Sequence, residues 1–88
     1  MLERERDYCV YVHTNRVNGK KYVGMTKNVK HRWRSRGYGY RECPYFYSAI
    51  QKYGWETFDH DVVQDRLTHC EACELEIRLI NEWETIGE

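Results

Sequence analysis

Two short runs rich in Val and Tyr, residues 8–14 and 20–26, stand on either side of Asn18-Gly19. Asn-Gly suits the positive-φ positions of a tight turn, and β-branched and aromatic residues suit the flanking strands, so the chain is expected to contain an antiparallel hairpin. A hairpin constrains everything after it, because at least one of its faces must be covered. A two-residue turn would set Tyr11 opposite Thr26. Since Thr26, Gly24 and Tyr22 alternate onto one face, Tyr11 and Tyr22 then share that face. Their separation along the strands is not fixed by this argument, since a longer loop of the same parity would bring them directly opposite each other, whereas a one-residue slip would put them on opposite faces.

The segments that follow supply the cover. Asn28 is placed to cap a short helix carrying Val29, Arg32, Trp33 and Arg36, which Gly37 and Gly39 end. On such a helix Arg32 and Arg36 lie one turn apart and can reach the same anion. Pro44 suits the first turn of a second helix, with Phe46, Ala49, Ile50 and Tyr53 turned inward before Gly54 stops it. Residues 58–64, with Val62 and Val63, read as a third strand, although the aspartates there weaken the signal. Thr68 with Glu71 forms a capping-box pattern that opens a last helix reaching about residue 83. The order β-β-α-α-β-α predicts an α+β sandwich, a small three-stranded and mostly antiparallel sheet flanked by three helices. At 88 residues there is room for one modest core, so residues 1–88 are expected to form a single domain.

Within the last helix Ala72, Leu75, Leu79, Ile80 and Trp83 share one face, and Glu76 falls inside that apolar arc. Burying a carboxylate charge is costly, so Glu76 should meet a metal ion, a cation or a proton. A salt-bridged core glutamate, or a slightly rotated helix, is the plain alternative.

Charge is unevenly spread: residues 1–41 hold 11 Lys+Arg against 3 Asp+Glu, and residues 42–88 hold 3 against 11. A basic front with interleaved Tyr and Trp suits a polyanion such as nucleic acid, with Lys20, Lys21, Lys27 and Arg36 as candidate contacts. Two halves that pair with each other would have the same composition. No apolar run approaches the roughly 18 residues of a membrane span. The charged opening Met1-Leu2-Glu3-Arg4-Glu5-Arg6 does not read as a secretory signal, and a reducing, cytoplasmic setting is expected. Cys70 and Cys73 form a C-x-x-C within the first turns of the predicted helix, without a second such pair. With His60 and His69 they match no structural zinc spacing, so neither a zinc site nor a disulfide is expected. Cys9 and Cys43 read as small hydrophobes.

The ordered set Cys9-Val10-Tyr11, Asn18-Gly19-Lys20-Lys21-Tyr22-Val23-Gly24, His31-Arg32-Trp33, Lys52-Tyr53-Gly54-Trp55 and a helical Glu76 resembles the GIY-YIG nuclease domain. Phage homing endonucleases, the excision-repair incision subunit and some restriction enzymes belong to that family. The resemblance runs from about Tyr8 to Trp83. It implies hydrolysis of DNA phosphodiesters with one divalent ion, Mg²⁺ or Mn²⁺, per active site. By that resemblance Glu76 is the metal ligand, Tyr11 the general base toward water, Tyr22 a residue that shapes the phosphate site, and Arg32 the holder of the scissile phosphate. A phenol titrates near 10 in isolation, roughly, so Tyr11 needs a positive field, which Lys20, Lys21 or His13 would supply.

The chain also departs from the family pattern. Cys9-Val10 replaces Gly-Ile in the first motif, Arg36 stands where several members carry a histidine, and the family's asparagine beyond the glutamate helix has no counterpart. Without an attached recognition domain, low sequence specificity is expected, with a homodimer or a separate targeting subunit as partner. One site per chain predicts nicking by a monomer, and the resemblance suggests a bacterial or phage context. The competing reading is a non-catalytic nucleic-acid binding module in which Tyr38, Tyr40 or Trp33 stack on exposed bases. Glu76 separates the two, because a binder gains nothing from a carboxylate beside a phosphate.

Overall fold

The computed structural model describes residues 6–83 and 86–87; Met1 to Glu5, most of the charged opening, lie outside them. Strands β1 (Tyr8–Asn15), β2 (Lys21–Thr26) and β3 (Phe58–Leu67) form an antiparallel sheet with β1 in the centre. A short β4 (Ile86–Gly87) adds in parallel to β2, giving the order β3-β1-β2-β4. The α+β class and the three antiparallel strands agree with the sequence reading, which did not foresee the fourth strand.

The hairpin turn is a correction. Asn15 N donates to Lys20 O at 2.8 Å, so the closing pair flanks a four-residue loop, 16–19, and not two residues. The side chains of Asn15 and Asn18 explain the longer loop: they accept from the backbone N–H groups of Val17 and Lys20 at 2.8 and 2.9 Å, each building a local turn. Gly19 takes the positive φ of +75° that ends the loop. Parity is preserved. Tyr11 faces Gly24 and His13 faces Tyr22, so Tyr11 and Tyr22 do share a face, offset by one cross-strand pair.

That alternation divides the interior into two layers. On one face Cys9, Tyr11 and Tyr22 pack with Tyr40, Phe58 and helix α2 (Pro44–Tyr53), which contributes Phe46, Ala49 and Ile50. On the other, Val10, Val12 and Val23 pack with Leu67 and helix α3 (His69–Glu82), through Ala72, Leu75 and Leu79. Both bonds of the predicted capping box are present: Glu71 N donates to Thr68 Oγ1 at 3.1 Å and Thr68 N to Glu71 Oε1 at 2.9 Å. Trp83, placed by periodicity on the inner stripe, is instead 37% exposed just past the helix end. The aspartates of β3 are explained by its position at the sheet edge, where Asp59, Asp61 and Asp65 are exposed.

The first predicted helix is also corrected. Helix α1 (Val29–Arg32) is capped by Asn28, whose Oδ1 accepts from His31 N at 3.1 Å, but it ends after one turn. In the kinked segment Arg34–Gly37, Ser35 and Arg36 adopt left-handed φ values of +53° and +55°. Close packing explains the break. An added Cβ on Gly37 would sit 2.8 Å from both Ile50 Cδ1 and Trp55 Cε3, and one on Gly39 would sit 2.9 Å from the Arg32 carbonyl. The chain folds back onto the end of α1 and onto α2, a path that a continuing helix could not follow. Arg32 and Arg36 therefore do not share a helix face, and Arg36 is ion-paired with Glu56.

Candidate active site

Tyr11 lies on the central strand with no solvent exposure. Its cross-strand neighbour on β2 is Gly24, which presents no side chain, so the enclosure of the ring comes from elsewhere. Trp33 packs edge-on at 5.7 Å between ring centroids, and Arg32, the last residue of α1, closes over the phenol. Arg32 Nε stands 3.4 Å from the Tyr11 hydroxyl, Nη1 donates to Gly39 O at 3.0 Å, and Nη2 lies 3.2 Å from Cys43 Sγ. The guanidinium also lies 4.2 Å above the Tyr40 ring, within cation–π range. The fold-back at Gly37 and Gly39 delivers three of these partners, the Gly39 carbonyl, Tyr40 and Cys43. The broken helix thus creates the setting of Arg32.

Tyr22 is nearly buried, with Phe46 and Phe58 against its ring at 4.8 and 6.2 Å. Burial, reinforced by Tyr53, pushes its phenol above the ordinary range. It has no hydrogen-bond partner among the described residues. The structure brings Tyr11, Tyr22 and Arg32 onto one sheet face and joins Tyr11 directly to Arg32.

Glu76 belongs to α3, which covers the opposite face. It is half-buried and forms no hydrogen bond or ion pair among the described residues. Desolvation raises its carboxyl above the usual carboxylate range. Such an uncompensated carboxylate is a suitable donor for a hard divalent cation. No group of three or more His, Cys, Asp or Glu side chains among the described residues is arranged around a metal position. The fit is therefore to an ion that takes one protein carboxylate and completes its shell with water and substrate oxygens, as Mg²⁺ commonly does. Glu76 makes no contact of this kind with Tyr11, Tyr22 or Arg32.

The proposed nucleic-acid contacts do not form one cluster. Lys20 is exposed at the hairpin end of β2, where Lys21 donates to Thr14 Oγ1 at 3.2 Å and lies 5.3 Å over the Trp83 ring. Lys27 is at the far end of that strand, 4.0 Å from Asp7 and over the Tyr8 ring. Tyr40 is fully buried and unable to stack on a base, which corrects that part of the binding-module reading; Tyr38, with Arg41 over its ring, is 53% exposed.

The sequence offers His13 only as a source of positive field, and the structure removes that role. It is fully buried, and desolvation, with His60 and Arg32 nearby, pushes it down to about 2, so it is neutral. Its Nε2 lies 2.7 Å from the Tyr40 hydroxyl and its Nδ1 2.8 Å from His60 Nδ1. Sequence reasoning missed this connection because the register between β1 and β3 is not set by any turn joining them. All four cysteines are free.

The family model for the GIY-YIG catalytic domain matches residues 7–86. No curated protein and no solved structure matches the chain.

Proposed function

The chain belongs to the GIY-YIG catalytic domain family, a family of nucleases, and on that premise we propose that it is a metal-dependent endonuclease hydrolysing DNA phosphodiester bonds. The observation that supports this most directly is the junction of Arg32 with the Tyr11 hydroxyl. A guanidinium presents a rigid fork of donors suited to a phosphate. Two of the present acceptors are weak competitors, a hydroxyl at 3.4 Å and a cysteine sulfur. A phosphate oxygen makes a stronger, charge-assisted bond and draws the fork toward itself.

Movement of Arg32 onto the phosphate uncovers the Tyr11 phenol oxygen, which, once its own proton has passed to solvent, takes the proton from the attacking water as the phenolate. The retained cation beside the phenol favours its ionised form, a role that His13 cannot fill. Tyr22 lines the phosphate site next to the gap left by Gly24, and Arg32 stabilises charge developing on the phosphate oxygens. Glu76 would hold Mg²⁺ or Mn²⁺, which when bound supplies Lewis-acid stabilisation of the reacting phosphate. Lys20, Lys21, Lys27 and Arg36 serve as dispersed backbone contacts.

The complete enclosure of Tyr11 favours a second reading, a module that binds nucleic acid without cutting it. Incubation of supercoiled plasmid with the purified chain and Mg²⁺ or Mn²⁺ decides between them. Nicked product that disappears with EDTA, in Glu76→Ala and in Tyr11→Phe supports the nuclease. Retained DNA binding without nicking at any metal concentration supports the module, and nicking that survives Glu76→Ala removes Glu76 from the site.

A further inference from the structure

The proton positions in the buried network below Arg32 follow from one carbonyl. His60 Nε2 lies 3.0 Å from the Trp55 carbonyl oxygen, which can only accept, so this nitrogen carries the proton. In a neutral imidazole His60 Nδ1 is then an acceptor, and the proton shared with His13 across 2.8 Å resides on His13 Nδ1. His13 Nε2 is left as an acceptor and takes the Tyr40 hydroxyl proton across 2.7 Å. The chain of donors runs in one direction, from Tyr40 to His13 to His60 to the Trp55 carbonyl. Both imidazoles are held below their ordinary range, mainly by burial, so the neutral forms needed for this order are the ones present. Rings clamp the network on both sides: Phe46 stacks on His13 at 4.6 Å and Trp55 on His60 at 3.8 Å.

This polar core meets the candidate site where the Tyr40 ring carries the Arg32 guanidinium at 4.2 Å, and where the His13 ring lies 5.2 Å from that of Tyr11 and 5.3 Å from that of Trp33. Apolar side chains could fill the same volume without needing hydrogen-bond partners, whereas the network fixes the orientation of a single phenol. We propose that His13 and His60 are positioning residues that act through Tyr40, locking its ring as the platform that aims Arg32 at Tyr11 and at the incoming phosphate. This rests on the reading of Arg32 as the phosphate-holding residue.

The test combines NMR of the ¹⁵N-labelled chain, reading imidazole tautomers and the Arg32 Nε–H signal, with plasmid nicking kinetics. The wild type should show His13 protonated on Nδ1 and His60 on Nε2. His13→Leu should displace the Arg32 Nε–H signal and lower kcat about 10-fold with little change in KM, the scale seen when a supporting hydrogen-bond partner is lost. His13→Gln, whose side-chain carbonyl can accept from Tyr40, should restore both. Tyr40→Phe, which removes only the hydroxyl, should displace the same signal and serves if His13→Leu does not fold. An unchanged Arg32 signal and kcat in His13→Leu, or a wild-type His13 protonated on Nε2, would overturn the proposal. A wild type that never nicks DNA would defeat the nuclease reading, while the Arg32 signal would still decide whether the histidines position it.

Discussion

His13 Nδ1 and His60 Nδ1 stand 2.8 Å apart on neighbouring strands, an arrangement that requires one to donate and the other to accept. A proton added to His60 would fall on Nδ1 and break that bond, one added to His13 would fall on Nε2 and break the bond it accepts from Tyr40, and His13 is pushed down to about 2 by its burial. Above an unfolded value near 6.5, roughly, neither state carries the proton and pH has no effect through this group. Below it the unfolded chain binds a proton that the native state refuses, so stability falls as pH falls. The slope is about 1.4 kcal/mol per pH unit, or about 2 kcal/mol from His13 alone by pH 5, and His60 acts in the same direction. Urea unfolding at pH 7.5 and pH 5 should show a markedly smaller loss for His13→Leu than for the wild type. Equal losses would mean that His13 titrates normally.

Arg32 is bound by shape as well as by charge, bonding Gly39 O and lying 4.2 Å over the Tyr40 ring. A lysine ammonium reproduces the charge alone. Arg32→Ala should lower single-turnover nicking by about 10²- to 10³-fold, and Arg32→Lys should recover little of it. Recovery to near wild-type rates by lysine would show that only a point charge is needed.

What the sequence made legible depended on the range of the signal. Strand alternation placed Tyr11 and Tyr22 on one face even though the loop is longer than expected, because two extra residues leave parity unchanged. The capping box at Thr68 and the Pro44 start are local patterns and appear where expected. The break after Arg32 was hidden, because it is imposed by Gly37 packing on Ile50 and Trp55, contacts made across the fold. His13 and His60 were hidden for the same reason: no short turn connects β1 to β3, so nothing local sets their register. Periodicity flagged Glu76 within the apolar stripe, but it could not show that α3 covers the face opposite the tyrosines.

Glu76 titrates above the usual carboxylate range because it is desolvated, so its charge opposes folding at neutral pH. The sign follows: the folded state prefers the protonated form, and the destabilisation appears as pH rises through the unfolded value. Glu76→Gln should therefore be as stable as the wild type or more stable at pH 7 without metal. Mg²⁺ should raise the melting temperature of the wild type and leave the variant unmoved, since binding only to the native state stabilises it. Nicking by the variant should fall at least about 100-fold. A variant that Mg²⁺ still stabilises would place the ion elsewhere.

Two glycines of the fold-back separate stability from activity. Gly37 combines a φ of +93° with a Cβ position 2.8 Å from Ile50 Cδ1 and Trp55 Cε3, so Gly37→Ala strains the backbone and overpacks the core together. It should cost about 2 to 4 kcal/mol in denaturant unfolding. Gly39 carries no such φ, and its Cβ would meet the Arg32 carbonyl at 2.9 Å. That atom is backbone at the end of α1, so relief of the contact moves Arg32 itself. A displacement of a catalytic group by about 1 Å can cost about 10²-fold in rate, so Gly39→Ala should lose activity out of proportion to its stability. Melting curves and nicking rates measured on both variants would check this: the larger thermal shift belongs to Gly37→Ala and the larger loss of rate per degree to Gly39→Ala. The reverse pattern would mean that the position of Arg32 tolerates the shift and does not limit the reaction.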